Sequence, residues 1–523
     1  MKSFFLRAVA YVKAHPRIDA LVLLVGLVVF AAIAFGNATR ASIWFDEAFS
    51  AYLIQFSYWD ILVFTAEDVH PPVYYWLLKA WSTLFGTTEF ALRSLSVVFG
   101  AIAIALSFVL SRRFFGRLVA GVSLLFMVVS PALIRYSDEA RMYTLATVIV
   151  LLATFVLLKA VATKRTRWWV AYGVLVALGM WTHYFTAIAW LAHWVWRALV
   201  TKRGKMTLRQ WFGKYFTKGW LIAHIVAVAL FLPWVPAFFV QIKSVQQGFW
   251  IGPVTLDTIT NYFAHFFYYL QHSQVHSWFA LPLLFIVILT IVLTRRVYRS
   301  FTAPEKRQYL LIASLAWAAP VILFILSFPP LSSVFVERYL VPSITIASIF
   351  FAVTLVVGTR TWRPVWRVVP VIVVVGMMIG GVTNVYSYGN FNKNSNTHVL
   401  TGEVVKMIQE MAPAGTPIVA ESPWIFYEAI FYATDEHPVY FIGEATEYTY
   451  GSLAMLRDRD AHKIVDLEAF VREHPVIWYI GNTQEERVRP YDMSWVELQT
   501  IGSYDSITDS TVYKATEYRV NAE

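Results

Sequence analysis

Residues 18–47 read IDALVLLVGLVVFAAIAFGNATRASIWFDE, an apolar run closed by a short polar loop and by two acids, Asp46 and Glu47. A membrane-crossing helix needs roughly 20 predominantly apolar residues, and this run meets that length. It exceeds the roughly 7–15-residue apolar region of a signal peptide, so it is expected to be retained. Further runs of the same kind lie near 91–111, 118–134, 142–162, 168–182, 184–200, 219–238, 277–294, 308–328, 339–358 and 366–385. The expectation is therefore an α-helical polytopic membrane protein with about 11 transmembrane helices. The pair at 168–200 has short halves, parted only by Thr182, His183 and Tyr184.

The composition agrees, with 58% hydrophobic and 15% charged residues, a balance outside the range of soluble domains. From about 389 the texture turns polar and acidic. Residues 1–388 are expected to form the membrane unit and 389–523 a C-terminal soluble α/β domain. The absence of cysteine excludes disulfides, zinc-thiolate sites and a cysteine nucleophile.

The net charge of +10 comes from short clusters between apolar runs, which indicates topology and no nucleic-acid partner. Lys2, Arg7, Lys13 and Arg17 precede the first run. Arg112, Arg113 and Arg117 follow the second, Lys164, Arg165 and Arg167 the fourth, and Lys202, Arg203 and Lys205 the sixth. Arg295, Arg296 and Arg299 then follow the eighth, and Arg360, Arg363 and Arg367 the tenth. Every second loop is basic, and basic loops stay inside. The expected placement is multi-pass in the plasma (inner) membrane, N-terminus cytoplasmic and C-terminal domain extracytoplasmic. Counting His70–Gly86 as a span would invert this pattern, so it reads as an interfacial or re-entrant helix on the outer side.

In the C-terminal part, helix-like stretches (Val399–Met411, Ile464–His474) alternate with strand-like ones (Thr416–Ala420, Pro438–Ile442, Val476–Ile480), the pattern of a small α/β domain. Asp458-Arg459-Asp460 superficially matches an Asp-x-Asp metal motif, but such charged triplets are usually solvated loop. No Gly-rich phosphate loop precedes a helix.

Acids in the membrane portion are scarce and fall mostly in the outer loops, where three clusters stand out: Trp44-Phe45-Asp46-Glu47; Glu67-Asp68-Val69-His70-Pro71-Pro72 with Tyr74 and Tyr75; and Arg135-Tyr136-Ser137-Asp138-Glu139-Ala140-Arg141-Met142-Tyr143. Asp46 and Glu47 could cap a helix starting at Ala48. Arg135 and Arg141 are harder to read as boundary residues, because such arginines belong inside. Beside two acids and two tyrosines they suit an anion site. Glu337-Arg338-Tyr339 opens the tenth run, again outside, where a structural Glu-Arg pair is the alternative. A lone histidine between apolar helices, as at His183, is more often a bonded core residue than a catalyst.

Together these motifs, with Phe45-Asp46-Glu47, His70-Pro71-Pro72-Val73-Tyr74-Tyr75, Arg338-Tyr339-Leu340, Leu232-Pro233-Trp234-Val235-Pro236 and Gly248-Phe249-Trp250, resemble the GT-C glycosyltransferases. The likeness is to bacterial relatives of the protein O-mannosyltransferases and of the lipid A aminoarabinose transferase, over residues 18–345 or so. It implies a polyprenyl-phosphate-linked sugar donor, inversion at the anomeric carbon and an active site at the outer face of the membrane. By position it implies Asp46 as catalytic base, with Glu139 the acid of the second outer loop and Asp138 where relatives often carry a neutral residue. The aminoarabinose branch has a lysine where this chain has His70, a departure that argues against lipid A modification.

A sugar phosphodiester carries a good leaving group, so the reaction needs a base for the acceptor hydroxyl and cations for the departing phosphate. Catalysis is expected of Asp46, Glu47 and Glu139. Phosphate binding is expected of Arg141, Arg338 and His70, since guanidinium forks suit phosphate oxygens. Acceptor or sugar contacts are expected of Asp138, Tyr74, Tyr143 and Tyr339. No cofactor and no dedicated metal site is expected, though the chemistry would accommodate a divalent metal. The expected partners are the lipid-linked donor (mannose or another hexose or pentose), a protein, lipid or glycan acceptor, and membrane lipids. The rival is a transporter or flippase of the same lipid, but transporters place ionisable groups near the midplane and show internal repeats.

Overall fold

The computed structural model describes residues 16–201, 206–246, 251–270, 277–330, 332–388, 401–442, 454–456, 461–483, 485–502 and 513–520. Asp458-Arg459-Asp460, Gly248-Phe249-Trp250, Lys2, Lys13, Val399 and the basic cluster at 202–205 lie outside the described residues.

Each expected run coincides with helix. The second, Glu89–Phe115, shows how the sequence sets its ends. Thr88 caps it by accepting from the Ala91 N–H, Glu89 sits in its first turn, and Arg112 and Arg113 sit in its last. Those charges complement the helix dipole. Gly116, at φ 89°, then stops it in a conformation that favours glycine. Among the described residues eight helices are long and apolar enough to cross a membrane, or nine if Arg117–Val128 and Pro131–Ser137, bent by 57°, make one span. The protein is a multi-pass membrane protein. Thr166–Thr182 and Thr186–Thr201, of 17 and 16 residues, are the halves of the short pair and fall below that length.

The bend has a local cause. Pro131 has no N–H to continue the preceding helix, and Ser130 caps the new one by accepting from Leu133. This turns Pro131–Ser137 into the core, where all seven residues are buried. The helix Val73–Phe85 has 13 residues, about 20 Å at 1.5 Å each, too short for a ~30 Å hydrocarbon core. It buries Tyr74, Tyr75 and Leu78 and leaves Leu77, Leu84 and Phe85 exposed, as suits an interfacial element. Among the long apolar helices of the described residues the most enclosed is Val341–Gly358, entered by the short turn Glu337–Leu340 that carries Arg338.

After residue 400 the chain forms a six-stranded mixed sheet: β1 (Ile418–Ala420), β2 (Val439–Ile442), β3 (Lys463–Ile464), β4 (Val476–Asn482), β5 (Val496–Gly502) and β6 (Tyr513–Arg519). Its order is β3-β2-β1-β4-β6-β5. The first four are parallel, and β6 and β5 add antiparallel at one edge. Helices Thr401–Met411, Pro423–Phe431 and Leu467–Glu473 accompany it. The expected helix Ile464–His474 is shorter than its apolar spacing suggests, because Ile464 pairs with Ile442 as strand and Asp466 caps the helix from Leu467.

Candidate active site

The helix Phe45–Leu53 begins at Phe45, so Asp46 and Glu47 lie inside its first turn and neither caps a helix starting at Ala48. Successive residues on a helix diverge by about 100°, and the two carboxylates accordingly part company. Glu47 points inward to Arg93, which donates from Nε at 2.8 Å and Nη2 at 2.6 Å. Glu47 also accepts from the Ala140 N–H at 2.9 Å. Both side chains of the pair are fully buried. Arg93 donates further to the carbonyls of Ala38 and Ala41, which fastens the loop before the helix.

Asp46 points the other way and keeps 17% of its side chain open. Arg338 Nη1 donates to Asp46 Oδ2 at 3.2 Å, and Arg141 Nε stands 4.0 Å from the same oxygen. Burial by itself would raise the Asp46 carboxyl, but the guanidiniums of Arg141 and Arg338 outweigh it and hold the group below the usual carboxylate range. It is ionised at neutral pH.

Arg141 is held by the Asp46 carbonyl at 3.2 Å, Ser50 Oγ at 3.2 Å and the Tyr75 hydroxyl at 2.9 Å. Its Nη2 lies 3.3 Å from His70 Nδ1, itself 3.6 Å from Asp68 Oδ2. Burial and then Arg141 push His70 below its ordinary value, so it meets the site as a neutral ring that accepts from Arg141. Glu139 takes a 2.7 Å bond from Arg135, one turn back on the chain. Its Oε1 has no hydrogen-bond partner among the described residues. Burial raises its carboxyl to about 7 despite Arg135. Tyr143 is buried within electrostatic reach of Arg338, Glu139, Arg141 and Asp46, and its hydroxyl finds no partner among the described residues. Tyr339 stacks on Phe185 at 4.3 Å and lies 5.2 Å from the His183 ring.

Arg141, Glu139 and Tyr143 from one stretch of chain and Arg338 and Tyr339 from another thus converge around one partly open carboxylate, that of Asp46 on a third. Residues 69–236, which include His70, Glu139 and Arg141 but neither Asp46 nor Arg338, match the family model for dolichyl-phosphate-mannose-protein mannosyltransferase. The apo structure of ArnT from Cupriavidus metallidurans is similar along the whole chain, with TM-score 0.58 at 13% identity, covering 96% of this chain and 98% of that one. The chain has the fold of the GT-C glycosyltransferases. The same ArnT bound to undecaprenyl phosphate gives TM-score 0.55 at 14% identity over 96% and 98% of the two chains. No curated protein sequence matches this chain.

Within this GT-C fold, three of the expected site residues stand behind the cluster. Glu47 is engaged by Arg93. Asp138 accepts from Asn37 Nδ2 at 3.0 Å, on the Arg93 side, where burial raises its carboxyl well above the usual range. Tyr74 is fully buried and its hydroxyl pairs with Ser96 Oγ at 3.0 Å. Its neighbour Tyr75 is the tyrosine that reaches Arg141. Sequence reasoning also missed Arg93, although an arginine inside an apolar run is a signal in itself, since an ionisable residue at membrane depth needs a partner. Among the described residues no group of three His, Asp or Glu is placed to hold a metal ion.

Proposed function

We propose that this protein is an inverting membrane glycosyltransferase that moves a sugar from a polyprenyl-phosphate carrier to an acceptor hydroxyl at the outer face of the membrane. One observation carries the reading: Asp46 is the carboxylate of the cluster that an incoming molecule can reach, with 17% exposure against 0% for Glu47 and 1% for Glu139, and two arginines stand beside it. In the reaction the acceptor oxygen bonds to the anomeric carbon as the bond from that carbon to the phosphate oxygen breaks. The acceptor proton passes to Asp46, and the phosphate leaves with the bonding electrons. Arg141 and Arg338 hold it by charge-assisted hydrogen bonds. Arg338 is then shared between phosphate and Asp46, which frees Asp46 to accept the proton. Tyr143 and Tyr339 face the sugar, and Glu139 orients acceptor or base.

ArnT, which shares the fold, has been seen with undecaprenyl phosphate, the kind of product this chemistry leaves. The matched family description favours mannose; another hexose or pentose would meet the same groups. A protein, lipid or glycan hydroxyl would serve as acceptor. The outer-face placement, in an inner membrane with the N-terminus cytoplasmic, rests on the alternating basic loops. Purified protein supplied with radiolabelled polyprenyl-phosphate-mannose and a mixture of envelope acceptors tests the proposal. Transfer of label is expected. Movement of the lipid between leaflets without transfer would replace the enzyme by a flippase.

A further inference from the structure

The helix that carries Asp46 cannot cap itself. The first N–H groups of any helix lack intrahelical partners, and the residue before this one is Trp44, whose side chain makes no capping bond. A nine-residue helix is also too short to be stable alone. The missing acceptor comes from nearly four hundred residues away. Glu428, on Pro423–Phe431 of the C-terminal part, accepts from the Thr401 hydroxyl and from the Tyr513 hydroxyl at 3.3 Å, and its carboxyl lies beside Ile43 and Trp44, within electrostatic reach of the Phe45 backbone N–H. It is 2% exposed.

The same C-terminal helix grips the chain at two further points. The Ile43 N–H donates to the Tyr432 hydroxyl at 2.6 Å, and that hydroxyl donates to Glu89. Tyr427 packs between Phe45, Phe49 and Tyr52 with ring centroids 6.1, 5.8 and 5.2 Å away, and Trp424 lies 6.3 Å from Phe45. The approach is close enough that a Cβ on Gly402 would stand 2.6 Å from Ser42 Oγ and from Tyr432. Asp46 is therefore aimed at its arginines from two sides. Glu47–Arg93 fixes the inner face of its helix, and the C-terminal part fixes the N-terminus and the aromatic face.

We propose that Glu428 is a positioning residue for Asp46, its carboxyl capping, from the C-terminal part, the helix on which Asp46 rides. The proposal rests on the reading of Asp46 as the base. It makes the C-terminal part a component of the active site. Glu428 touches neither donor nor acceptor, so its loss should lower turnover and leave donor binding to Arg141 and Arg338.

The test uses full-length protein with Glu428→Met, which keeps the volume but has no acceptor, and Glu428→Gln, which keeps an acceptor oxygen. Two readouts are taken: amide hydrogen exchange over residues 43–49, and kcat with the donor KM. Glu428→Met is expected to speed exchange about tenfold, the equivalent of one hydrogen bond. It is expected to lower kcat by about 10²-fold, the scale of a ~1 Å misplacement, at unchanged donor KM, while Glu428→Gln restores both. Unchanged exchange in Glu428→Met overturns the capping, and faster exchange at unchanged kcat overturns the positioning. Should Glu428→Met fail to insert, Tyr432→Phe, which removes the acceptor for the Ile43 N–H, is read by the same two measurements. Absence of transfer in the wild type would sink the glycosyltransferase reading alone, because the exchange result still decides whether Glu428 holds the helix.

Discussion

Asp46 and Glu47 are consecutive residues of the same charge on the same turn of helix, and each is paired with arginine, yet they do opposite work. Glu47 and Arg93 are wholly buried, with two short bonds between them and the remaining donors and acceptors satisfied by backbone. Asp46 meets Arg338 by one bond of 3.2 Å and Arg141 only at 4.0 Å, and it remains partly open. A saturated ion pair has nothing left to offer a substrate. A loosely held carboxylate between two cations can exchange one of its partners for a phosphate, and it keeps a lone pair for a proton. The difference between structure and chemistry here is a rotation of about 100° along one helix.

That contrast makes its sharpest prediction at Asp46. Asp46→Asn keeps the shape and still accepts from Arg338 but cannot take up the acceptor's proton. Transfer should fall by roughly 10²–10⁴-fold, the usual worth of general-base catalysis, with little change in thermal midpoint. Near-normal turnover would remove Asp46 as base and leave Glu139 to be tested next. The mirror experiment is Glu47→Gln, which strands Arg93 in the core. Breaking a buried pair from one side costs about 3–5 kcal/mol, so this variant should show a lowered thermal midpoint and reduced insertion. Any correctly folded fraction should retain most of its turnover per molecule. Full stability in Glu47→Gln would show that the two acids differ less than their geometry implies.

The sequence made one half of this comparison legible and hid the other. Asp46 stood out because acids are scarce in the membrane portion and because its motif is familiar. The eight long apolar helices among the described residues followed from hydrophobic run length, whereas the nine-residue helix that carries Asp46 lies in none of the expected runs. Which of Asp46 and Glu47 faced the site could not be read, since that depends on the phase of a short helix whose start is set by contacts distant in sequence. The same holds for Tyr74 and Tyr75, where adjacency in sequence again placed two side chains on opposite sides. Arg93 was visible as a charge within an apolar run. Glu428 was not, because it is a single acid in the apolar segment Pro423–Phe431 of the C-terminal part and its role depends on how that part packs against the helix that starts at Phe45.

The arginines test the open side of the comparison at a smaller scale. Arg338→Ala and Arg141→Ala should each weaken donor binding by about 1.5–3 kcal/mol, the range for a hydrogen bond to a charged group. Lysine should rescue only in part, because a point charge lacks the guanidinium fork. The two should also differ. Arg141 holds Ser50, Tyr75 and the Asp46 carbonyl, so its loss should lower the thermal midpoint as well, whereas Arg338→Ala should act mainly on binding. Equilibrium binding of polyprenyl phosphate to the two variants, set against their melting curves, separates these effects. Unchanged affinity in both would take the phosphate elsewhere.

A third carboxylate completes the series. Glu428 is as buried as Glu47, but its environment is made of hydroxyls and a backbone N–H, with no guanidinium like that of Arg93. Burial raises its carboxyl to about 8, opposed by Thr401, Tyr513 and the Phe45 N–H and reinforced by the charge of Glu47. A group whose folded pKa is raised contributes stability that is complete below its unfolded value, near 4.5, and is lost as pH rises through the folded one. The contact between the C-terminal part and the Asp46 helix should therefore be firmest below about pH 4.5, should loosen as pH rises from there to about 8 by up to tenfold in the folded-to-opened ratio per pH unit, and should level off above that. Glu428→Gln cannot ionise and should flatten this pH dependence, whereas Glu47→Gln, which removes a charge that helps raise the Glu428 carboxyl, should end the loosening at a lower pH. The measurement is amide exchange over residues 43–49 from about pH 4.5 to about pH 9, corrected for the intrinsic exchange rate. A pH dependence that survives unchanged in Glu428→Gln would assign the loosening to a different group and would leave Glu428, unlike Glu47, a carboxylate whose charge state the fold does not use.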